Sequence, residues 1–214
     1  MATECSPEAL KALGLHHKIR LGSDPTAPLV FLVHGRAGNY DVMWAFRRCI
    51  PESFSIIAPQ APQADPVGGF SWWDIASSSA KEGGGSAASQ VVAFVTAAEA
   101  FYGLTPRCRL ACGFSQGAGT LSVVLQRNSL FSGVALLAGF VVETECFSGN
   151  PQIPIFMAHG LVDEMVPIER ARHGRDILEA RGFSVEFVED DVGHKIGTGG
   201  MRALSRWFAS FEDR

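Results

Sequence analysis

Short, wholly apolar runs alternate along this chain with longer stretches whose apolar positions recur at helical spacing. That alternation is the sequence form of a mostly parallel sheet covered by helices on both faces. Strands are predicted at residues 17–21, 29–33, 54–58, 109–113, 133–138, 153–158 and 185–189. Helices are predicted at residues 41–49, 86–102, 116–127, 168–181 and 201–211. The helix from Ser86 opens after Gly83, Gly84 and Gly85 and sets Val91, Val92, Phe94, Val95 and Ala98 on one face. Residues 59–85 interrupt the pattern. They are rich in Pro, Gly and Ser and hold Trp72 and Trp73. Loops of that length are usually functional or disordered, and paired tryptophans argue against disorder. No long helical insertion separates the strand at 133–138 from the strand at 153–158, so no large lid is expected.

Composition narrows the class without naming a chemistry. A chain of 214 residues fits one domain, read as 1–214, with a substantial core. Net charge is -4 and no basic cluster stands out, which argues against nucleic acid as a partner. The longest apolar run, residues 134–142, is too short to span a bilayer, so no stable membrane insertion is expected. The N-terminus has no basic stretch followed by an apolar run and does not read as a secretory signal. The five cysteines form no C-x-x-C pair, and their odd number argues against a disulfide framework. They read as thiols in a reducing cytoplasm, the expected location. The sequence leaves room for a homodimer.

The chemistry concentrates in Gly113-Phe114-Ser115-Gln116-Gly117, a G-x-S-x-G motif with a predicted strand before it and a predicted helix after it. A turn that sharp strains its central residue and leaves the serine oxygen exposed at the strand end, above a helix N-terminus. The plain alternative is a glycine-rich turn with a capping serine. A serine hydroxyl needs a base. His194, in the loop before the last helix, is the histidine that completes the chain order Ser, acid, His. His173 lies in a charged helix, His16 and His17 open a strand, and His34 and His159 each precede a glycine where they can tie a loop. The acid is expected to be Asp163, after the strand at 153–158, with Glu164, Asp190 and Asp191 as rivals. Two backbone N–H groups should hold the oxyanion. One belongs to Gln116, after the nucleophile, and one to Arg36, in the loop His34-Gly35-Arg36-Ala37-Gly38.

The segments 33–38, 71–75, 113–119 and 159–167, closed by Gly193-His194, together resemble the phospholipase/carboxylesterase family of α/β hydrolases. That family includes bacterial carboxylesterases and acyl-protein thioesterases. The resemblance runs from Leu29 to the end of the chain. It implies a compact α/β-hydrolase fold without a large lid, a Ser115–Asp163–His194 triad, and oxyanion amides from Arg36 and Gln116. It also implies that Trp72 and Trp73 lie near the acyl site. Phe114 and Met165 are further candidates for substrate contact. Three positions depart from the family pattern: Arg36, where an apolar residue is common, Glu164, where proline is common, and Lys195, where an acidic residue is common.

These observations together predict a serine carboxylesterase that hydrolyses small-molecule esters of short to medium acyl chain through an acyl-Ser115 intermediate. No metal or other cofactor is called for. Acyl-protein or acyl-CoA thioesterase and lysophospholipase are the alternatives that share this chemistry. Dienelactone hydrolase would need cysteine in place of Ser115. A non-catalytic hydrolase-like binding protein would usually have lost a triad member.

Overall fold

The computed structural model describes residues 2–76 and 79–212. Its frame is an eight-stranded sheet built from β1 (Ala2–Glu4), β2 (His17–Arg20), β3 (Leu29–Val33), β4 (Ser55–Pro59), β7 (Arg109–Phe114), β8 (Gly133–Leu137), β9 (Pro154–Gly160) and β10 (Ser184–Asp190). The order across the sheet is β1-β2-β4-β3-β7-β8-β9-β10. The six strands β4, β3, β7, β8, β9 and β10 run parallel, and β1 and β2 join antiparallel at one edge. A separate hairpin pairs β5 (Gln63–Ala64) with β6 (Phe70–Ser71).

Buried on both faces, the central strands are apolar throughout rather than alternating. In β3, Leu29, Phe31 and Val33 face one layer while Val30 and Leu32 face the other. The first layer is formed by α3 (Ala80–Tyr102), α4 (Gln116–Arg127) and α5 (Ile168–Ala180), through residues such as Val91, Val95, Leu121 and Leu178. Met43, Leu204 and Phe208, from α2 (Tyr40–Met43) and α6 (Thr198–Ala209), cover the other face.

The topology singles out one edge of the sheet. From β3 the chain steps to β4 on one side, then crosses back to β7 on the other and continues outward to β10. Strand order therefore reverses between β3 and β7. A crevice outside the carboxyl ends of strands at such a switch point is where ligands bind in open α/β sheets. The register aligns those ends, with Val33 opposite Gly113, Phe114 opposite Leu137, and Leu137 opposite Ala158.

Several predicted boundaries change. The third helix begins at Ala80, not at residue 86. Ser79 caps it, its hydroxyl accepting from the Glu82 N–H at 3.2 Å while the Glu82 carboxylate reaches back to the Ser79 hydroxyl at 2.9 Å. Gly83, Gly84 and Gly85 thus lie inside a helix, against their propensity. Packing supplies the reason: a Cβ on Gly83 would collide with the Trp73 side chain. The predicted loop at 59–85 also contains the β5–β6 hairpin, and its residues 77 and 78 lie outside the described residues. The predicted helix at 41–49 divides into α2, capped by Asn39, and a 3-10 helix over Trp44–Cys49. Strand β1 and helix α1 (Pro7–Leu13) were not foreseen, although Ser6 caps α1, Pro7 opens it and Gly14 closes it at φ +74°. Among the described residues no helix is long and apolar enough to cross a membrane.

Candidate active site

Ser115 stands between the end of β7 and the start of α4 with φ +52° and ψ −113°. A non-glycine residue there is strained by roughly 1–3 kcal/mol and persists only where its surroundings hold it. They do. The Ser115 N–H donates to the Leu137 carbonyl at 2.9 Å, and its carbonyl accepts from the Gly119 N–H at 3.1 Å. A Cβ on Gly113 would lie 2.5 Å from the Gly117 carbonyl oxygen. One on Gly117 would lie under 3.0 Å from the Val33 carbonyl oxygen. Both motif glycines therefore let backbone pass against backbone. Among the described residues the Ser115 hydroxyl has no hydrogen-bond partner, and it opens into a cavity of about 540 Å³.

Two loops carry the acid and the base to the same cavity. The ring Nδ1 of His194 meets Asp163 Oδ2 at 2.8 Å. Asp163 is buried, and its other oxygen accepts from the N–H groups of Met165 and Val166, both at 2.9 Å. Burial pushes the Asp163 carboxyl upward, but the Val166 and Met165 N–H groups and His194 outweigh it and hold the group below its ordinary value. The Met165 and Val166 bonds fix which oxygen faces the ring. The loops are themselves joined: Leu161 N–H donates to the Asp190 carbonyl at 2.8 Å and Val162 N–H to that of Val192 at 3.2 Å. Gly160 permits this, since a side chain there would strike the Val192 and Gly193 carbonyls.

Of the carboxylates considered, only Asp163 contacts His194 among the described residues. Asp190 Oδ2 instead accepts from the Gly200 N–H in the first turn of α6, at 2.8 Å. Glu164 and Asp191 are exposed. His159 Nε2–H donates to the Val166 carbonyl at 2.8 Å and lies 3.3 Å from Asp163 Oδ2. It ties the acid loop, as expected of a histidine that precedes a glycine at a strand end.

The loop after β3 lies opposite. Ala37 N–H donates to Ser71 Oγ at 3.1 Å, and Gly38 N–H donates to the carbonyls of Gly35 and Phe70. Arg36 N–H has no acceptor among the described residues, nor does the N–H of Gln116 at the first position of α4, and both residues line the cavity. The hairpin braces this loop. Asp65 accepts from Arg36 Nε at 3.0 Å, from the Ser71 hydroxyl at 2.7 Å and from the Val67 N–H at 3.1 Å. The Ser71 hydroxyl, the Val67 N–H and Arg36 hold its carboxyl below the ordinary range. Nothing in the sequence marked Asp65, which lies 29 positions from the arginine it pairs.

Trp72 and Trp73 part ways. Trp72 is 1% exposed, its indole N–H donates to the His34 carbonyl at 2.8 Å, and it does not line the cavity. Its expected substrate contact is thereby replaced by a packing role. Trp73 lines the cavity, wedged between the spaces left by Gly83 and Gly119. The Gln116 side chain clamps both, accepting from the Trp72 N–H and donating to the Trp73 carbonyl, each at 2.9 Å. Met165, 71% exposed, lies at the rim. Phe114 is not part of the lining; its ring sits 5.0 Å from that of His194. Phe140 and Ile75 complete the apolar wall and were missed. Phe140 follows the Gly139 that exits β8, a position at the same sheet edge that topology could have flagged.

His34 ties the floor together and gives a pH-dependent prediction. Its Nδ1–H donates to the Gly35 carbonyl at 2.7 Å and its bare Nε2 accepts from the Ala61 N–H at 2.9 Å. Burial pushes the imidazole down to about 4, against the opposite pull of the Gly35 carbonyl. The unfolded chain takes up a proton near pH 6.5 while the folded chain resists it until about 4. The neutral ring's contribution is thus fully present above about 6.5 and is lost as pH falls toward 4, on the order of 3 kcal/mol. Melting temperature should fall across that window, and the gap between wild type and His34→Gln should narrow. A gap that stays constant from pH 7 to pH 4 would rule His34 out as the titrating group.

A parallel sheet whose switch point presents a strained serine beside a carboxylate–histidine pair defines an α/β hydrolase. The particular family is set by the match of residues 15–210 to Phospholipase/Carboxylesterase, and the chain belongs to it. A probable carboxylesterase of Oryza sativa subsp. japonica is 33% identical over 112 residues, 49% of this chain and 42% of that protein. Acyl-protein thioesterase 1 of Gibberella zeae is 30% identical over 92 residues, 39% of each. The matches therefore span less than half the length of these relatives. The crystal structure of esterase PE8 superposes with a TM-score of 0.82 at 22% identity, covering 92% of this chain and 98% of that one, a likeness of fold.

Proposed function

We propose that this carboxylesterase-family hydrolase cleaves carboxylic esters of short to medium acyl chain by acyl transfer to Ser115. The observation that carries the reading is the Asp163–His194 pair at 2.8 Å, opening on the cavity where the strained Ser115 meets two unclaimed N–H groups. His194 takes the Ser115 proton as the hydroxyl adds to the ester carbonyl. Asp163, ionised and held by its own loop, orients the ring and stabilises its cationic form. The Arg36 and Gln116 N–H groups receive the oxyanion at the positive end of α4. His194 then protonates the leaving alcohol and activates the water that releases the acid. None of these steps calls for a metal or cofactor.

The test is hydrolysis of p-nitrophenyl esters from acetate to palmitate, with Ser115→Ala as control and a palmitoyl thioester in parallel. Ser115-dependent turnover that peaks at short chains supports the reading. The thioesterase reading draws on the Gibberella zeae relative, and preference for the thioester would move the assignment there.

Chain-length dependence separates the tryptophans. Trp73→Ala should raise KM severalfold for octanoate and leave acetate nearly unchanged, because it strips the indole from the apolar wall that only a longer chain lies against. Trp72→Ala should cost about 3–5 kcal/mol of stability with no change in the chain-length profile. Equal KM changes at every chain length for Trp73→Ala would assign that residue to packing as well.

A further inference from the structure

Among the described residues, the cavity that holds Ser115 is lined by two arginines and by no carboxylate. The two arginines differ. Arg36 is paired with Asp65 at 3.0 Å, so its charge is locally offset. Arg170, in the first turn of α5, has no carboxylate within ion-pair distance among the described residues. Its helix neighbours are engaged: Arg172 pairs with Glu189 at 2.8 Å and Arg175 with Asp176 at 2.7 Å. Glu169, next to it in the chain, and Glu164 are exposed and line no part of the cavity.

Instead of an anion, Arg170 has a ring. Its guanidinium carbon lies 4.4 Å from the centre of Phe140, itself part of the cavity wall. A guanidinium resting on an aromatic face is held in place by the ring quadrupole and keeps its N–H donors free. Those donors match the two oxygens of a carboxylate or phosphate. Trp73, Ile75, Phe140 and Val166 line the remainder with apolar surface. The space is therefore amphiphilic, with the reacting serine, an apolar body and a cation that has no carboxylate partner among the described residues.

We propose that Arg170 selects esters bearing an anionic group, a carboxylate or phosphate, that reaches the Phe140 side of the cavity while the ester carbonyl lies at Ser115. This rests on the esterase reading above and narrows its substrate class. The anion can belong to the acyl half or to the alcohol half, and matched probes separate the two. On the acyl side, the mono-p-nitrophenyl ester of adipic acid is compared with p-nitrophenyl hexanoate. On the alcohol side, butyryl glycerol phosphate is compared with monobutyrin.

The reading is the ratio of kcat/KM between the anionic and neutral member of each pair, in wild type, Arg170→Lys, Arg170→Gln and Arg170→Glu. In the pair that fits, wild type should favour the anionic ester by about tenfold, the scale of one charge-assisted hydrogen bond partly exposed to water. The preference should sit in KM, shrink as salt rises, and survive in part in Arg170→Lys. Arg170→Gln should abolish it and Arg170→Glu should reverse it. Equal handling of both members of both pairs, or an anionic preference that persists in Arg170→Gln, overturns the inference while the esterase reading stands. Absence of Ser115-dependent turnover on every ester would overturn the esterase reading and this inference with it.

Discussion

A Ser115→Ala variant should melt at the wild-type temperature and lose turnover of every ester by a factor on the order of 10⁶. The two halves of that expectation have different origins. The fold should be indifferent, because the hydroxyl has no hydrogen-bond partner among the described residues and the backbone strain is borne by Gly113, Gly117 and the Leu137 carbonyl. The chemistry should collapse, because the attacking oxygen is gone and the base and acid act only through it. Adding His194→Ala to that background should cost less than about tenfold more, since a nucleophile and its base act as one unit. Kinetics on p-nitrophenyl butyrate, with fluorophosphonate labelling as a second readout, decide the matter. Labelling that persists in Ser115→Ala, or losses that multiply in the double variant, would remove Ser115 from the role of nucleophile.

The largest effect on stability is expected at Gly117. A Cβ there would fall under 3.0 Å from the Val33 carbonyl oxygen and 2.6 Å from that of His34. Both obstacles are backbone, at the end of β3 and its exit, so no side-chain rotation relieves them. Either α4 tilts off the sheet or the β3 exit moves, and that exit carries the Arg36 N–H. Gly117→Ala should therefore cost about 4 kcal/mol or more and lower activity in whatever fraction still folds. Gly84→Ala is the contrasting control. Its Cβ would meet Val123 at 3.5 Å, an ordinary contact, inside the long helix α3. That change should stabilise by roughly 0.5–1 kcal/mol, the helix propensity difference. Denaturant unfolding of both variants tests the argument, and a Gly117→Ala protein as stable as wild type would refute the close-approach account.

Gly83 shows where local signals fail. Three consecutive glycines read as a helix breaker, and the boundary was accordingly expected at residue 86. The helix runs through them because Ser79 and Glu82 cap it and because Trp73, ten positions earlier, needs the space a side chain at Gly83 would fill. The tryptophan pair makes the same point from the other direction. The chain bends just past the end of β6, and Trp72 is sealed under the floor while Trp73 forms wall. Composition could not tell them apart.

The sequence by itself determined the order of the layers and the position of the serine. Apolar runs long enough for buried strands, alternating with helical periodicity, leave little choice but a covered parallel sheet. A G-x-S-x-G between a strand and a helix carries its own geometry, since every residue that shapes the turn lies within a few positions. Only the tertiary structure decided which acid meets His194. Asp163, Glu164, Asp190 and Asp191 were all available, and the choice fell to the pairing of β9 with β10, which sets His159 beside Glu189 and Gly160 beside Asp190. That register brings the two loops together, turns Asp190 toward the Gly200 N–H and leaves Asp163 against the ring. The pairing of Arg36 with Asp65 and the isolation of Arg170 are likewise contacts between segments far apart in the chain. Periodicity and turn chemistry are local and can be read one residue at a time, whereas the partner of a charge is settled only when the chain has closed on itself.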